Sequence, residues 1–315
     1  MTLRLLFSLF TITLLSGCLK DDPLLRIGTN VWPGYELFYL AREHGMLPED
    51  QVRLVELSSS ADVMEAMMVG RLEGAAVTMD EAIRLRTRGL PVTVILVCDV
   101  SDGADAIVVR PPADSLSDLK GMKVGVPFDS VGLLMLDAGL TEAGLTLEDI
   151  ELIDIPPTQH LASYNRKAAD ALVSFEPFVS HLLDSGAVPV FDSSAIRGRI
   201  VDVLVVNNDA IERFEDQIHT LTQAFFAGRQ RMLKHRTESL LSMNRRMRLP
   251  PEDLELVFSK LHIPGPEENI RLLNSGNGRL IRTAEALTTL MRVNGMIRHQ
   301  PDLSSFISEA FIPEH

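Results

Sequence analysis

Residues 92–109 read Val92-Thr93-Val94-Ile95-Leu96-Val97-Cys98-Asp99-Val100-Ser101-Asp102-Gly103-Ala104-Asp105-Ala106-Ile107-Val108-Val109. The run 91–98 is continuously apolar, as in a strand buried on both faces, and a polar, glycine-containing stretch follows it. A second β-rich run then begins at 106. One buried strand, a flexible polar crossing and a new strand together place the end of one α/β unit and the start of another within residues 101–106. Gly103 supplies backbone freedom at the crossing.

N-terminal to this point, short β-rich runs (24–29, 51–57, 75–78) alternate with helical stretches (35–43, 61–69, 80–88), stopped at Gly45, Gly70 and Gly89. Such alternation predicts βαβ units around a mainly parallel sheet. C-terminal to it, strands are expected at 106–109, 123–126, 150–155, 171–173 and 188–191, and a late one at 201–206, followed by an almost wholly helical tail. The late strand is best placed back in the first sheet. A second crossing then falls at 196–203, near Gly198, and the chain forms two lobes: 24–104 with 202–315, and 105–201.

The N-terminus carries Arg4 and then an apolar run of about eleven residues, 5–15, too short for the roughly 20 that cross a membrane. It ends in Leu15-Ser16-Gly17-Cys18, a pattern similar to a bacterial lipobox. Residues 1–17 are therefore expected to be a lipoprotein signal peptide and Cys18 an acylated anchor at the membrane surface. The other of the 2 cysteines, Cys98, reads as a small buried hydrophobe. A net charge of −13 argues against nucleic-acid binding. The 8 histidines show no metal-ligand spacing, and neither a nucleophile elbow nor a glycine-rich phosphate loop is present. No catalytic residue, metal or cofactor is expected.

Five segments carry a resemblance: Gly28-Thr29-Asn30-Val31-Trp32-Pro33-Gly34-Tyr35 with 39–47; Ala66 to Gly70 with Leu72-Glu73-Gly74-Ala75-Ala76-Val77-Thr78-Met79-Asp80-Glu81; Asp99 to Asp105; Leu119-Lys120-Gly121-Met122-Lys123-Val124-Gly125-Val126; and 169–178 through Glu176-Pro177. In this order they resemble the periplasmic substrate-binding proteins of ABC importers, in the nitrate, sulfonate and taurine class (NMT1/THI5-like). Glu73 stands where the family pattern usually has Asp. The resemblance implies a type II, two-lobed α/β fold of the periplasmic binding proteins, with the helical tail packed on the first lobe. It also implies a small-molecule ligand, a partner permease with its ATPase, a location in the periplasm or cell envelope, and action as a monomer.

The site expected from these segments comprises Trp32, Tyr35, Ser59, Ser60, Thr78, Asp80, Ser101, Asp105, Ser130 and Glu176. Trp32, the single tryptophan, sits in a Pro-Gly loop after the first strand, where open α/β sheets place ligands. The serines precede helices, whose N-terminal amides receive oxyanions but also simply need caps. The acids favour a ligand with N–H donors, such as an amine, an amino-sulfonate or an aminopyrimidine, over a bare anion. Two further readings stay open on sequence: an exported ligand-sensing module for a membrane receptor, and an enzyme of the same fold making pyrimidine or menaquinone precursors. In the tail, Arg245-Arg246-Met247-Arg248 reads as a solvated helix face.

Overall fold

The structure, a computed structural model, describes residues 23–313 apart from Asp129, Ser275 and Asn277. The export segment 1–17 and Cys18 lie outside the described residues. Among those described, no helix is long and apolar enough to cross a membrane.

Among the described residues eleven strands fall into two sheets: β1 (Leu25–Thr29), β2 (Val52–Glu56), β3 (Gly74–Thr78), β4 (Val92–Ser101), β5 (Asp105–Val109), β6 (Lys123–Val126), β7 (Glu151–Asp154), β8 (Ala171–Phe175), β9 (Val188–Asp192), β10 (Val201–Asn207) and β11 (Leu261–His262). The first sheet has the order β11-β4-β10-β3-β1-β2 and the second β7-β6-β8-β5-β9. β1 runs parallel to β2 and β3, whereas β10 is antiparallel to both its neighbours, β3 and β4. In the second sheet β5 plays the same part, antiparallel to β8 and β9. The chain thus crosses between sheets after β4 and again after β9.

β4, second from the end of its sheet, is apolar because it is buried along nearly its whole length, and Cys98 within it is fully buried. Its outer edge would otherwise present unpaired amides and carbonyls. Three pieces of the tail cover it. β11 pairs with Val100 and Ser101. The Asn269 side chain accepts from Val97 N at 2.7 Å and donates to Val97 O at 3.1 Å, so that a carboxamide stands in for a strand. Farther along, Val94 N donates to Phe306 O at 2.8 Å and Ser308 N to Val94 O at 2.9 Å.

The long tail helix Glu215–Lys234 packs against the helix Glu36–Glu43, with Phe225 and Phe38 in ring contact at 4.9 Å. The approach is close enough at Gly228 that a Cβ there would overlap the Leu37 carbonyl. One arginine of the tail departs from the solvated face expected of it. The Arg246 guanidinium lies 3.3 Å from the Tyr39 ring centroid, 2.9 Å from Glu36 Oε1 and 2.6 Å from Glu56 Oε2. Glu36 is fully buried, and burial pushes its carboxyl up to about 7 although Arg246 opposes the shift. Arg246 therefore pins the tail to the first sheet through one stacked and two ionic contacts. The helical periodicity of its neighbours does not reveal this.

Candidate functional site

The two sheets meet at a cavity of about 20 Å³ lined by Asn30, Trp32, Tyr35, Ser60, Thr78, Glu81, Asp105, Val131, Phe175 and Asp202. These residues sit where β1, β3 and β8 end, where β5 and β10 begin, and where the helices Ser60–Met68, Met79–Thr87 and Gly132–Glu142 start. This is the region outside the strand ends where α/β sheets bind ligands.

The loop after β1 is built around an acid. Trp32 Nε1 donates to Asp99 Oδ2 at 3.0 Å. Gly34 makes room for that bond, since a Cβ at this position would overlap the Asp99 carboxylate. Tyr35 donates its hydroxyl to Asp202 Oδ1 at 2.5 Å. Asp202 stands directly opposite Asp99 on β4 and Thr78 on β3. Burial, reinforced by the Asp99 charge, drives the Asp202 carboxyl well above the carboxylate range. Asp99 Oδ1 and Asp202 Oδ2 are both buried without a hydrogen-bond partner among the described residues. Burial, with Asp105 adding repulsion, lifts Asp99 to about 7. The result is two donor–acceptor pairs on neighbouring strands, Tyr35 to Asp202 and Trp32 to Asp99.

Two more carboxyls reach the cavity. Glu81 closes a capping box with Thr78, whose amide donates to Glu81 Oε2 at 2.9 Å. Burial, then the Asp80 charge, raises Glu81 to about 7. Asp105 is likewise lifted to about 7, chiefly by burial, against a hydrogen bond from Ser101. Opposite, Phe175 meets the Trp32 ring edge-on at 5.9 Å, so the aromatic wall is shared between the two sheets.

Five of the ten expected site residues line the cavity: Trp32, Tyr35, Ser60, Thr78 and Asp105. The other five are engaged elsewhere. Ser59 caps its helix, accepting from Asp62 N at 3.2 Å. Asp80 accepts from Thr78 Oγ1 at 2.8 Å and pairs with Arg84 at 3.7 Å. Ser130 donates to Pro127 O at 2.7 Å and accepts from Gly132 N at 3.2 Å. Ser101 meets Ser193 at 2.7 Å, and Ser193 also receives Gly103 N at 2.7 Å, which ties the two crossings together. Glu176 is held by Lys260 at 2.7 Å and by the Ser180 hydroxyl at 2.8 Å.

Sequence reasoning missed Asn30, Glu81, Val131, Phe175 and Asp202. For two of them a signal existed. Asp202 is an acid inside an apolar strand, where a charge has no structural reason to be. Glu81 completes the Thr78-x-x-Glu81 capping pattern.

The architecture is that of the periplasmic binding proteins: two α/β sheets joined by two crossings, with a cleft between them. The match to solved structures is close over nearly the whole chain. The alkanesulfonate-binding protein SsuA from Xanthomonas axonopodis pv. citri bound to MOPS superposes with a TM-score of 0.77 at 16% identity, over 91% of this chain and 99% of that one. The periplasmic nitrate-binding protein NrtA from Synechocystis PCC 6803 gives 0.63 at 12% identity, over 92% and 91%. In sequence, the taurine-binding periplasmic protein of Escherichia coli K12 is 21% identical over 267 residues, 82% of each chain. The chain belongs to the NMT1-like family, whose pattern matches residues 20–242.

Proposed function

We propose that the protein is an exported solute-binding protein. It captures a small organic nitrogen- or sulfur-bearing compound in the cleft and delivers it to an ABC permease and its ATPase. The observation that carries this reading is the cleft itself, walled by Trp32, Tyr35, Thr78 and Asp202 from the first sheet and by Asp105 and Phe175 from the second. A ligand gripped by both walls favours the closed form over the open one, and only a ligand with that differential contact shifts the equilibrium. The moving parts are residues 24–104 with 202–315 on one side and 105–201 on the other. They pivot on the two crossings, where Gly103 and Gly198 have φ of 106° and 76°.

The names of the relatives, which speak of taurine, alkanesulfonate and nitrate, support a small polar ligand. The lipobox-like segment before Cys18 supports attachment at the periplasmic face of a membrane. The test is reconstitution. The ligand-loaded protein, added to proteoliposomes holding its permease and ATPase, is expected to raise ATP hydrolysis above the level with the unloaded protein. Equal rates would refute delivery.

A further inference from the structure

We propose that the inner end of the cleft is a receptor for a positively charged nitrogen group. The solute is then a net cation of amine or amidine type, and not a sulfonate or other oxyanion. This rests on the reading of the cleft as a solute site and adds the charge class of the solute.

The first observation is an unused acceptor. Asp105 is 3% exposed and lines the cavity, and among the described residues its Oδ2 has no hydrogen-bond partner. A buried carboxylate oxygen without a donor is costly unless a ligand supplies one. The second is the balance of side chains around it, with further carboxyls and, among the described residues, no basic group on the wall. Glu81 faces the cavity from the helix Met79–Thr87, Asp202 from β10, and Asp99 stands behind Asp202 on β4. The nearby cations are turned to other acids, Arg84 to Asp80 and Lys260 to Glu176. Tyr35 donates to Asp202, and the Cys98 thiol, raised well above its usual range by burial, stays neutral. Among the described residues no arginine or lysine lines the cavity, so an oxyanion placed here would have the helix N-termini at 60, 79 and 132 as its only positive ends and would meet carboxyls on three elements.

Three of the remaining lining residues are aromatic. Trp32, Tyr35 and Phe175 flank the same space, and ring faces attract cations. At about 20 Å³ the cavity admits a group close to the size of a water molecule, which an ammonium or one end of an amidine matches. Proton exchange would accompany binding. Carboxyls near 7 are part-protonated at neutral pH, and an arriving cation drives those protons off, whereas an arriving anion draws protons in.

The experiment is thermal denaturation of the full mature chain with putrescine, benzamidine, 4-aminopyridine, taurine or ethanesulfonate, and with the cationic, neutral and anionic fractions of a cell extract. A cationic probe or the cationic fraction is expected to raise Tm by about 4 °C or more. Asp105→Asn should abolish that rise while keeping its own unliganded transition. Calorimetry of the best cationic probe at pH 7 in phosphate and in Tris should show proton release. Stabilisation by taurine, ethanesulfonate or the neutral or anionic fraction alone would overturn the charge class and leave the solute-binding reading standing. No stabilisation by any probe or fraction would overturn both.

Discussion

Lys260, between the helix Leu254–Ser259 and β11, holds Glu176, the residue that follows β8, at 2.7 Å, so the tail of the first sheet is clasped to the second at the rim of the cleft. Glu176 is fully buried, while the lysine side chain keeps 22% exposure. The pair joins the two sides that, in the proposed mechanism, separate when a ligand enters or leaves.

Breaking this clasp has two expected effects. Lys260→Met leaves a buried carboxylate with only the Ser180 hydroxyl and amide, and should cost about 2–4 kcal/mol of stability by chemical denaturation. Glu176→Gln should cost less, because the amide keeps the geometry and removes the charge. In both variants small-angle scattering should show a larger radius of gyration than in the parent. An unchanged radius would mean that the clasp does not hold the lobes together.

Gly34 has a steric role that one substitution isolates. Gly34→Ala places a methyl group where the Asp99 carboxylate stands, so either the Trp32 bond or the loop must give way. The expected result is a loss of roughly 2–3 kcal/mol and a red-shifted emission from the sole tryptophan as it leaves its buried place. An unshifted spectrum would show that the loop absorbs the methyl group without moving the indole.

Stability should depend on pH in an unusual direction. Asp99, Asp105 and Glu81 keep protons up to about 7 in the folded chain, whereas in the unfolded chain carboxyls lose them near pH 4. Between those values the native state binds more protons, so their contribution is full at the acid end and is lost as pH rises through about 7. His160 acts oppositely. Burial pushes it down to about 4, and its contribution is lost as pH falls from its ordinary range toward that value. The informative quantity is therefore the difference between the parent and a variant carrying Asp99→Asn with Asp105→Asn. That difference should grow in favour of the variant from pH 5 to pH 8; a flat difference would mean that these carboxyls ionise normally.

The proposed lipid attachment at Cys18 is tested by metabolic labelling with a radioactive fatty acid. The parent should incorporate label and fractionate with membranes, and Cys18→Ala should do neither. Equal incorporation would remove Cys18 from the account.

How far the sequence reveals this site depends on which residues carry local signals. β4 and β10 are legible as apolar runs, and the Trp-Pro-Gly loop as a special backbone. The division of labour within adjacent residues is not. Ser59 and Ser60 both begin a helix, yet one caps it and the other faces the cavity, a difference of about 100° around the helix axis. Asp80 and Glu81 differ in the same way, and so do Phe175 and Glu176 at the end of a strand, where alternation sends one ring into the cleft and the next carboxylate to Lys260. The partner that neutralises Glu176 lies 84 residues farther along the chain, and no local pattern announces it.

The central claim is that this cleft holds one small molecule and returns it unchanged. Native mass spectrometry of the protein purified from its native host tests it most directly. The account predicts a single small adduct per chain, lost in Asp105→Asn and recovered with the same mass after denaturation and after prolonged incubation. A chain that carries no adduct, or one whose bound molecule is converted to a product on incubation, would contradict it.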